Sequence, residues 1–353
     1  MKAAVIGCGR MGAEPSARLN GCITAGWLPI SHIESILSVD DIDAVALCDT
    51  NEELLKRRGK KYQINALYTN HEDLITRFQP DIITIATRTP QKNEIIKYAC
   101  KNGVKGIYVE KPLTNSLNEL KECFFYIKKY NVQLFYGVNR RYHSVYRAAK
   151  KLIMDGEIGE VTTIIVEHGF SQLLWAHPHS VDLILFFSET CDVDTVQAHL
   201  VECNASPSSD YLVDSDPFVE SMFFKTRSGV SAYITNASGL NVRVMGKKGN
   251  LTVHADGAYI QLNQDNINTG GYFLDQKNMN IFSAQSATVT AIKELIAAVN
   301  TEQSIHPKLD VVEIGMKMLL GGVWSHLSGN KTMLLSDIPP ELIVTGKSGD
   351  LYA

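Results

Sequence analysis

At 353 residues with 45% hydrophobic content, the chain is long enough to fill two hydrophobic cores rather than one. Lys and Arg number 34 against 38 Asp and Glu, a net of -4 with no long run of one sign; this argues against a nucleic-acid or membrane surface and leaves a small, mildly polar metabolite as the expected partner. The apolar start Met1 to Ile6 is too short for a signal peptide and no later apolar run reaches the roughly 18 residues of a membrane span, so a cytoplasmic location is expected.

In chain order, residues 2–6, 43–48, 81–86 and 105–109 are short apolar or β-branched runs separated by amphipathic segments. That alternation predicts βαβ units and a doubly wound parallel sheet, an α/β Rossmann half. From Ser116, the residues Leu117, Leu120, Phe124 and Ile127 recur at helical spacing, and 132–138 follows as another buried strand. The first domain is therefore expected to span 1–138 and the second 139–353. Between 161 and about 262, runs at 162–167, 219–225, 230–235 and 251–254 alternate with Gly- and Asn-rich turns, which predicts a mainly antiparallel sheet in an α+β domain. Helices at about 287–299 and 311–327 precede an irregular tail containing Pro339 and Pro340. The seven cysteines are odd in number, scattered and never in a C-x-x-C pair, so they read as small buried hydrophobes, and no metal site is expected.

Directly after the first strand stands Gly7-Cys8-Gly9-Arg10-Met11-Gly12, a G-x-G-x-x-G at the opening of a helix. Gly7 allows the tight turn, Gly9 lets a pyrophosphate approach the backbone, and Gly12 lets helix and strand pack; the helix start adds N–H groups and positive dipole. The second strand ends at Asp49, where an acid would take the adenosine ribose hydroxyls, so NAD is the expected cofactor. Lys56, Arg57 and Arg58 nearby leave NADP open. Gly12 and Asp49 are 37 residues apart against about 20 in the usual unit, so something is inserted. The extra piece, around 21–38 with Trp27-Leu28-Pro29, reads either as added packing or as a loop over the active site.

Further on, Tyr108-Val109-Glu110-Lys111-Pro112-Leu113 delivers Glu-Lys-Pro to the carboxyl edge of the sheet, where open α/β sheets bind ligands. With the glycine turn, the Ala86-Thr87 strand end, Asn139-Arg140-Arg141-Tyr142, Gly156-Glu157-Ile158-Gly159 and His179-Ser180-Val181-Asp182, the chain resembles the Gfo/Idh/MocA oxidoreductases along nearly its whole length. That resemblance implies a Rossmann domain followed by a large open-faced sheet domain, and hydride transfer at a hydroxyl or keto carbon of a sugar, sugar phosphate, nucleotide sugar or inositol. It places Lys111 between nicotinamide and substrate, with His179 beside it as general acid or base, and Asp182 helping to hold substrate. Thr87 and Glu110 join the cofactor side, and Arg140 can reach the substrate. A lysine in a desolvated cleft and an imidazole that titrates near neutrality both suit proton transfer.

The pattern is broken four residues before His179, where the family commonly carries an aspartate and this chain has Trp175. His177 could stand in for that acid, or Trp175 could stack on a sugar face. Three functions are therefore compared: an NAD-dependent sugar dehydrogenase or ketoreductase, a redox-neutral lyase or glycosidase using tightly held NAD, and a non-catalytic NAD-binding sensor. The open sheet further predicts a homodimer or homotetramer.

Overall fold

A computed structural model describes residues 1–271, 274–282, 285–301 and 306–345, so 346–353 at the end of the second half lie outside the described residues. The first six strands are β1 (Lys2–Ile6), β2 (Ala44–Cys48), β3 (Ala66–Tyr68), β4 (Ile82–Ile85), β5 (Gly106–Val109) and β6 (Gln133–Tyr136). They form a parallel sheet in the order β3-β2-β1-β4-β5-β6. β4 and β5 are buried at every position, as strands covered by helices on both faces must be. The order reverses between β1 and β4, and there Gly7 donates to the Cys48 carbonyl at 2.8 Å while Ala86 donates to Ile6 at 2.8 Å. The crevice at this switch point is where such sheets take ligands.

The helix expected after the glycine turn is split. Ala13 N–H reaches Gly9 at 3.0 Å, the chain then leaves the helix, and it returns with His32 N–H on the Met11 carbonyl at 2.8 Å and Ile33 on Gly12 at 2.9 Å. An unbroken helix would join residues four apart by such a bond, so 17 residues are looped out. Removing them from the interval between Gly12 and Asp49 leaves the usual spacing of about 20. The inserted piece is thus the excursion 15–31, and helix His32–Leu37 is the resumed first helix.

The remaining strands are β7 (Val161–Glu167), β8 (Val193–Val201), β9 (Leu212–Val213), β10 (Phe218–Thr226), β11 (Ser231–Thr235), β12 (Asn241–Gly246), β13 (Gly249–His254), β14 (Tyr259–Asp265), β15 (Leu274–Met279), β16 (Met333–Leu334) and β17 (Ile343–Val344). Among the described residues, nine of them make one sheet in the order β15-β14-β13-β12-β7-β11-β10-β8-β16, antiparallel except for the pair β7 and β11. Ile164, Val166, Met222, Phe224, Ala232, Ile234, Val242 and Val244 are buried on its inner face, beneath helices Pro178–Ser188 and His306–Leu327. Their neighbours Ile165, Phe223, Tyr233 and Met245 point the other way, and the rings of Phe223 and Tyr233 lie 5.0 Å apart. Helix Ala287–Thr301 leaves this half and packs on the first sheet, where Ala291, Leu295 and Ala298 cover Tyr108 and Phe135. Gly106 leaves the room that Val299 and Leu295 fill, since a Cβ there would lie 2.8 Å from Val299 Cγ2.

Candidate active site

A cleft of about 380 Å³ opens at the switch point, and its wall includes Gly9, Arg10, Met11, Thr87, Arg88, Glu110, Lys111, Arg140, Trp175 and His179. The glycine turn is shaped as its sequence requires. Gly7 has φ +93 and no room for a Cβ, which would lie 2.8 Å from the Ala86 carbonyl; a Cβ on Gly12 would fall 1.7 Å from the Gly7 oxygen. Over Gly9 the space is open, with nothing within 4 Å of a built Cβ, and this is the place where a dinucleotide pyrophosphate needs to approach the backbone. The chain's turn therefore fits the cofactor. Asp49 sits beside the turn: Oδ2 accepts from Cys8 N–H at 2.7 Å and Oδ1 from Asn51 N–H at 2.8 Å.

At the end of β5, Glu110 is buried and bonded through Oε1 to His32 Nε2 at 3.1 Å, the ring of His32 standing edge-on to Tyr108. Burial opposes ionisation of Glu110, yet His32 and the ammoniums of Lys111 and Lys92 hold its carboxyl below the usual range. Lys92, fully buried on helix Thr89–Lys101, gives hydrogen bonds of 2.6 Å to the carbonyls of Glu110 and Pro112 and so braces both sides of Lys111. Burial pushes Lys92 down to about 7. Lys111 is pushed down to about 8 by burial first; Glu110 and Asp216 oppose this, while Arg140 and Arg10 add to it.

Across the cleft, the Lys111 ammonium donates to the backbone carbonyl of Trp175 and lies 3.9 Å from the centre of its indole. His179 borders the same cleft; its buried Nδ1 has no hydrogen-bond partner among the described residues. Burial, then the charges of Arg140 and Lys111, hold His179 well below the ordinary histidine range, so it is neutral at neutral pH. Lys111 and His179 thus border one cleft together with Gly9 of the glycine turn.

Of the residues anticipated for substrate, Trp175 and Arg140 border the cleft, whereas His177 and Asp182 do not. His177 is buried away from the cleft wall, with Nδ1 3.1 Å from Ser180 Oγ, and burial lowers it to about 4. Asp182 is buried in a two-pronged ion pair with Arg141. Arg140 does border the cleft, but its Nε and Nη2 are both given to Asp256, at 2.8 and 2.9 Å. The excursion 15–31 supplies Arg18, Leu19, Ile23, Trp27 and Ile30 to the wall, and it packs as well, since Trp27 is buried in the core. It is also strapped to the second half: Thr24 Oγ1 and Trp27 Nε1 each donate to the Asp256 carbonyl at 3.0 Å, and His143 Nε2 reaches the Ala25 carbonyl at 3.0 Å.

Sequence reading passed over Lys92, His168, Asp216 and Asp256. Two of these carried a signal. Lys92 sits at the head of the spacing 92, 95, 96, 99 that marks a buried helix face, and His168 continues the inward alternation of Ile164 and Val166. His168 Nδ1 lies 3.1 Å from Ser180 Oγ, and its ring is 6.4 Å from that of His179. Among the described residues no group of three or more His, Cys, Asp or Glu could hold a metal ion, and no helix is long and apolar enough to cross a membrane.

A parallel six-stranded dinucleotide half facing a mixed open sheet across a cleft that holds a lysine and a neutral histidine is the architecture of two-domain nicotinamide-dependent oxidoreductases. The Gfo/Idh/MocA family model, described as "Oxidoreductase family, NAD-binding Rossmann fold", matches residues 1–138, the dinucleotide half of the chain. It is 28% identical over 140 residues to the myo-inositol 2-dehydrogenase of Thermotoga maritima, which is 40% of this chain and 42% of that protein. Over 252 residues it is 26% identical to the uncharacterized oxidoreductase YrbE of Bacillus subtilis, covering 65% of this chain and 72% of that one. Among solved structures, KijD10, a 3-ketoreductase from Actinomadura kijaniata crystallised with TDP-benzene and NADP, superposes with a TM-score of 0.70 at 16% identity, over 90% of this chain and 95% of that one. The match thus spans less than half of the myo-inositol enzyme, and the structural likeness shows the fold. The family is one of NAD(P)-binding oxidoreductases of sugar and inositol type.

Proposed function

We propose that this protein is an NAD-dependent dehydrogenase or reductase acting on a hydroxyl or keto carbon of a sugar, sugar phosphate, nucleotide sugar or inositol-like substrate. The observation that carries this reading is the approach of Lys111 and neutral His179 to one cleft shared with the open space over Gly9. In this reading residues 1–138 bind the dinucleotide and 139–353 the substrate. The backbone of Gly7 to Gly12 would hold the pyrophosphate, Asp49 the adenosine ribose, and Thr87 with Glu110 the nicotinamide end. Bound NAD would supply the hydride acceptor, or in reduced form the donor. Protonated Lys111 would hydrogen-bond the reacting oxygen and give it a proton as a keto carbon is reduced. Neutral His179 would take the proton as a hydroxyl is oxidised. A lysine brought down to about 8 and a histidine held neutral are poised for proton transfer, which favours an enzyme over a sensor.

The test is mass spectrometry of ligands that co-purify with the protein, followed by a screen of sugars, sugar phosphates, nucleotide sugars and inositols for a change in NADH or NADPH absorbance. NAD is expected to be preferred, since a 2'-phosphate would meet the Asp49 carboxylate. On the substrate found, Lys111→Met should cut turnover by about 10² or more while changing cofactor affinity little. Near-normal turnover in that variant would remove Lys111 from the mechanism.

A further inference from the structure

The family resemblance leads one to look for a carboxylate next to Lys111, four residues before His179, and the chain has an indole there. We propose that Asp216 and Trp175 together form the seat of the Lys111 ammonium, Asp216 acting as a positioning residue through Trp175. The proposal rests on the reading of Lys111 as the proton-handling group.

Asp216 stands just ahead of β10, and the two segments it joins are stitched by backbone: Leu173 N–H reaches Pro217 at 2.8 Å and Val219 N–H reaches Ser171 at 2.9 Å. Its side chain is buried, only 4% exposed, and its two oxygens take the N–H groups of Leu174 at 2.7 Å and Trp175 at 2.9 Å. Trp175 therefore gives its N–H to Asp216 while giving its carbonyl and its indole face to Lys111. One residue links carboxylate to ammonium. Such a seat differs from a direct ion pair: the π face and carbonyl orient the cation, while the carboxylate is already occupied by two N–H groups and stays one residue away. The ammonium is held in place yet remains able to give up its proton.

The charged and titratable groups around Lys111 come from every packed element. Glu110 and Lys92 lie on the Rossmann side, Arg10 in the glycine turn, Arg140 at the domain junction, and His168, His179 and Asp216 on the second half, where Asp256 of the cleft wall is paired with Arg140. Burial lifts Asp216 to about 6 against its two N–H bonds, so it is ionised at neutral pH and above.

The experiment is a pH titration of the cofactor-free protein labelled with 13C at lysine Cε, the Lys111 resonance being identified by its loss in Lys111→Met. In the parent protein the midpoint should fall well below the ordinary lysine value of about 10.4. Asp216→Asn keeps the shape but removes the charge, and should lower the midpoint further, by about half a unit or more. Trp175→Phe keeps the carbonyl and weakens the π face, and should lower it by a smaller amount. If Asp216 is only a cap for the short turn, Asp216→Asn will reduce thermal stability and leave the midpoint where it was, which overturns the proposal. Should Asp216→Asn not fold, Trp175→Phe decides: a lowered midpoint supports the seat, and an unmoved one overturns it. A parent midpoint in the ordinary lysine range overturns it as well. Because no substrate enters the titration, failure of the seat is read in the midpoint, and failure of the oxidoreductase reading in the absence of turnover.

Discussion

Gly9 and Gly12 stand three residues apart in one turn, yet a methyl group would act on them in opposite ways. At Gly12 it would fall on the Gly7 carbonyl, so Gly12→Ala should unfold or strongly destabilise the domain, by about 3 kcal/mol or more. At Gly9 it meets open space, so Gly9→Ala should fold with an unchanged Tm and still lose dinucleotide affinity, about tenfold or more, because the methyl fills the room the pyrophosphate uses. Thermal melts and NAD titrations by intrinsic fluorescence check the pair, and undiminished affinity in Gly9→Ala would place the pyrophosphate elsewhere. These positions were legible in the sequence because backbone geometry dictates the residue type. Lys111 and His179 were brought to one site by the family resemblance that their motifs carry, and both border the cleft. Asp216 was not legible: its partners at 174 and 175 are some 40 residues away, and nothing in a linear pattern announces such a bond. Lys92 and His168 were readable in principle, each being a polar residue at a position whose periodicity points inward.

Among the elements, the buried parallel strands were read almost to the residue, since a strand covered on both faces is a continuous apolar run. β3, of three half-buried residues, and β8, whose Val193 to Val201 mixes charged and apolar positions, lack that signature and were not anticipated. The anomaly between Gly12 and Asp49 was visible as a length, and the hydrogen bonds turn it into a mechanism: a helix interrupted after one turn and resumed in register. A specific excision follows. Removing residues 15–31 would leave the Met11 and Gly12 carbonyls four residues ahead of the N–H groups they already meet, restoring one continuous helix. The shortened protein is expected to fold and to bind NAD within about tenfold of the parent. It should lose turnover of its substrate, since the wall formed by Arg18, Leu19, Ile23, Trp27 and Ile30 and the strap to Asp256 go with the excised piece. Loss of dinucleotide binding in a folded excision variant would mean that the excursion belongs to the cofactor site.

For the whole molecule, length and composition suggested two separate cores, whereas the largest buried cluster runs through both halves, from Ala4 to Val344. Helix Ala287–Thr301 follows the second sheet in sequence and packs on the first in space, an arrangement that local patterns cannot report. What the two halves leave uncovered is the outer face of the nine-stranded sheet. Neighbouring strands lie about 4.8 Å apart and rise about 3.3 Å per residue, so nine strands present a surface of about 40 by 20 Å. That is about the 800 Å² per partner of a standard stable interface. Near its middle stand Ile165, Phe223, Tyr233 and Met245, with Tyr233 38% exposed, flanked by Thr163, Ser221 and Thr235. An apolar centre with a polar surround is the anatomy of an interface rather than of a solvated sheet face. We therefore expect a dimer or tetramer through this face, with light scattering giving two or four times the chain mass of 39.1 kDa. Tyr233→Glu would bury a carboxylate against its symmetry mate and should shift the protein toward monomer, while leaving NAD affinity intact because the face lies on the far side of the sheet from the cleft. A parent protein that is monomeric at all practical concentrations, or a Tyr233→Glu variant of unchanged mass, would assign the outer face to solvent.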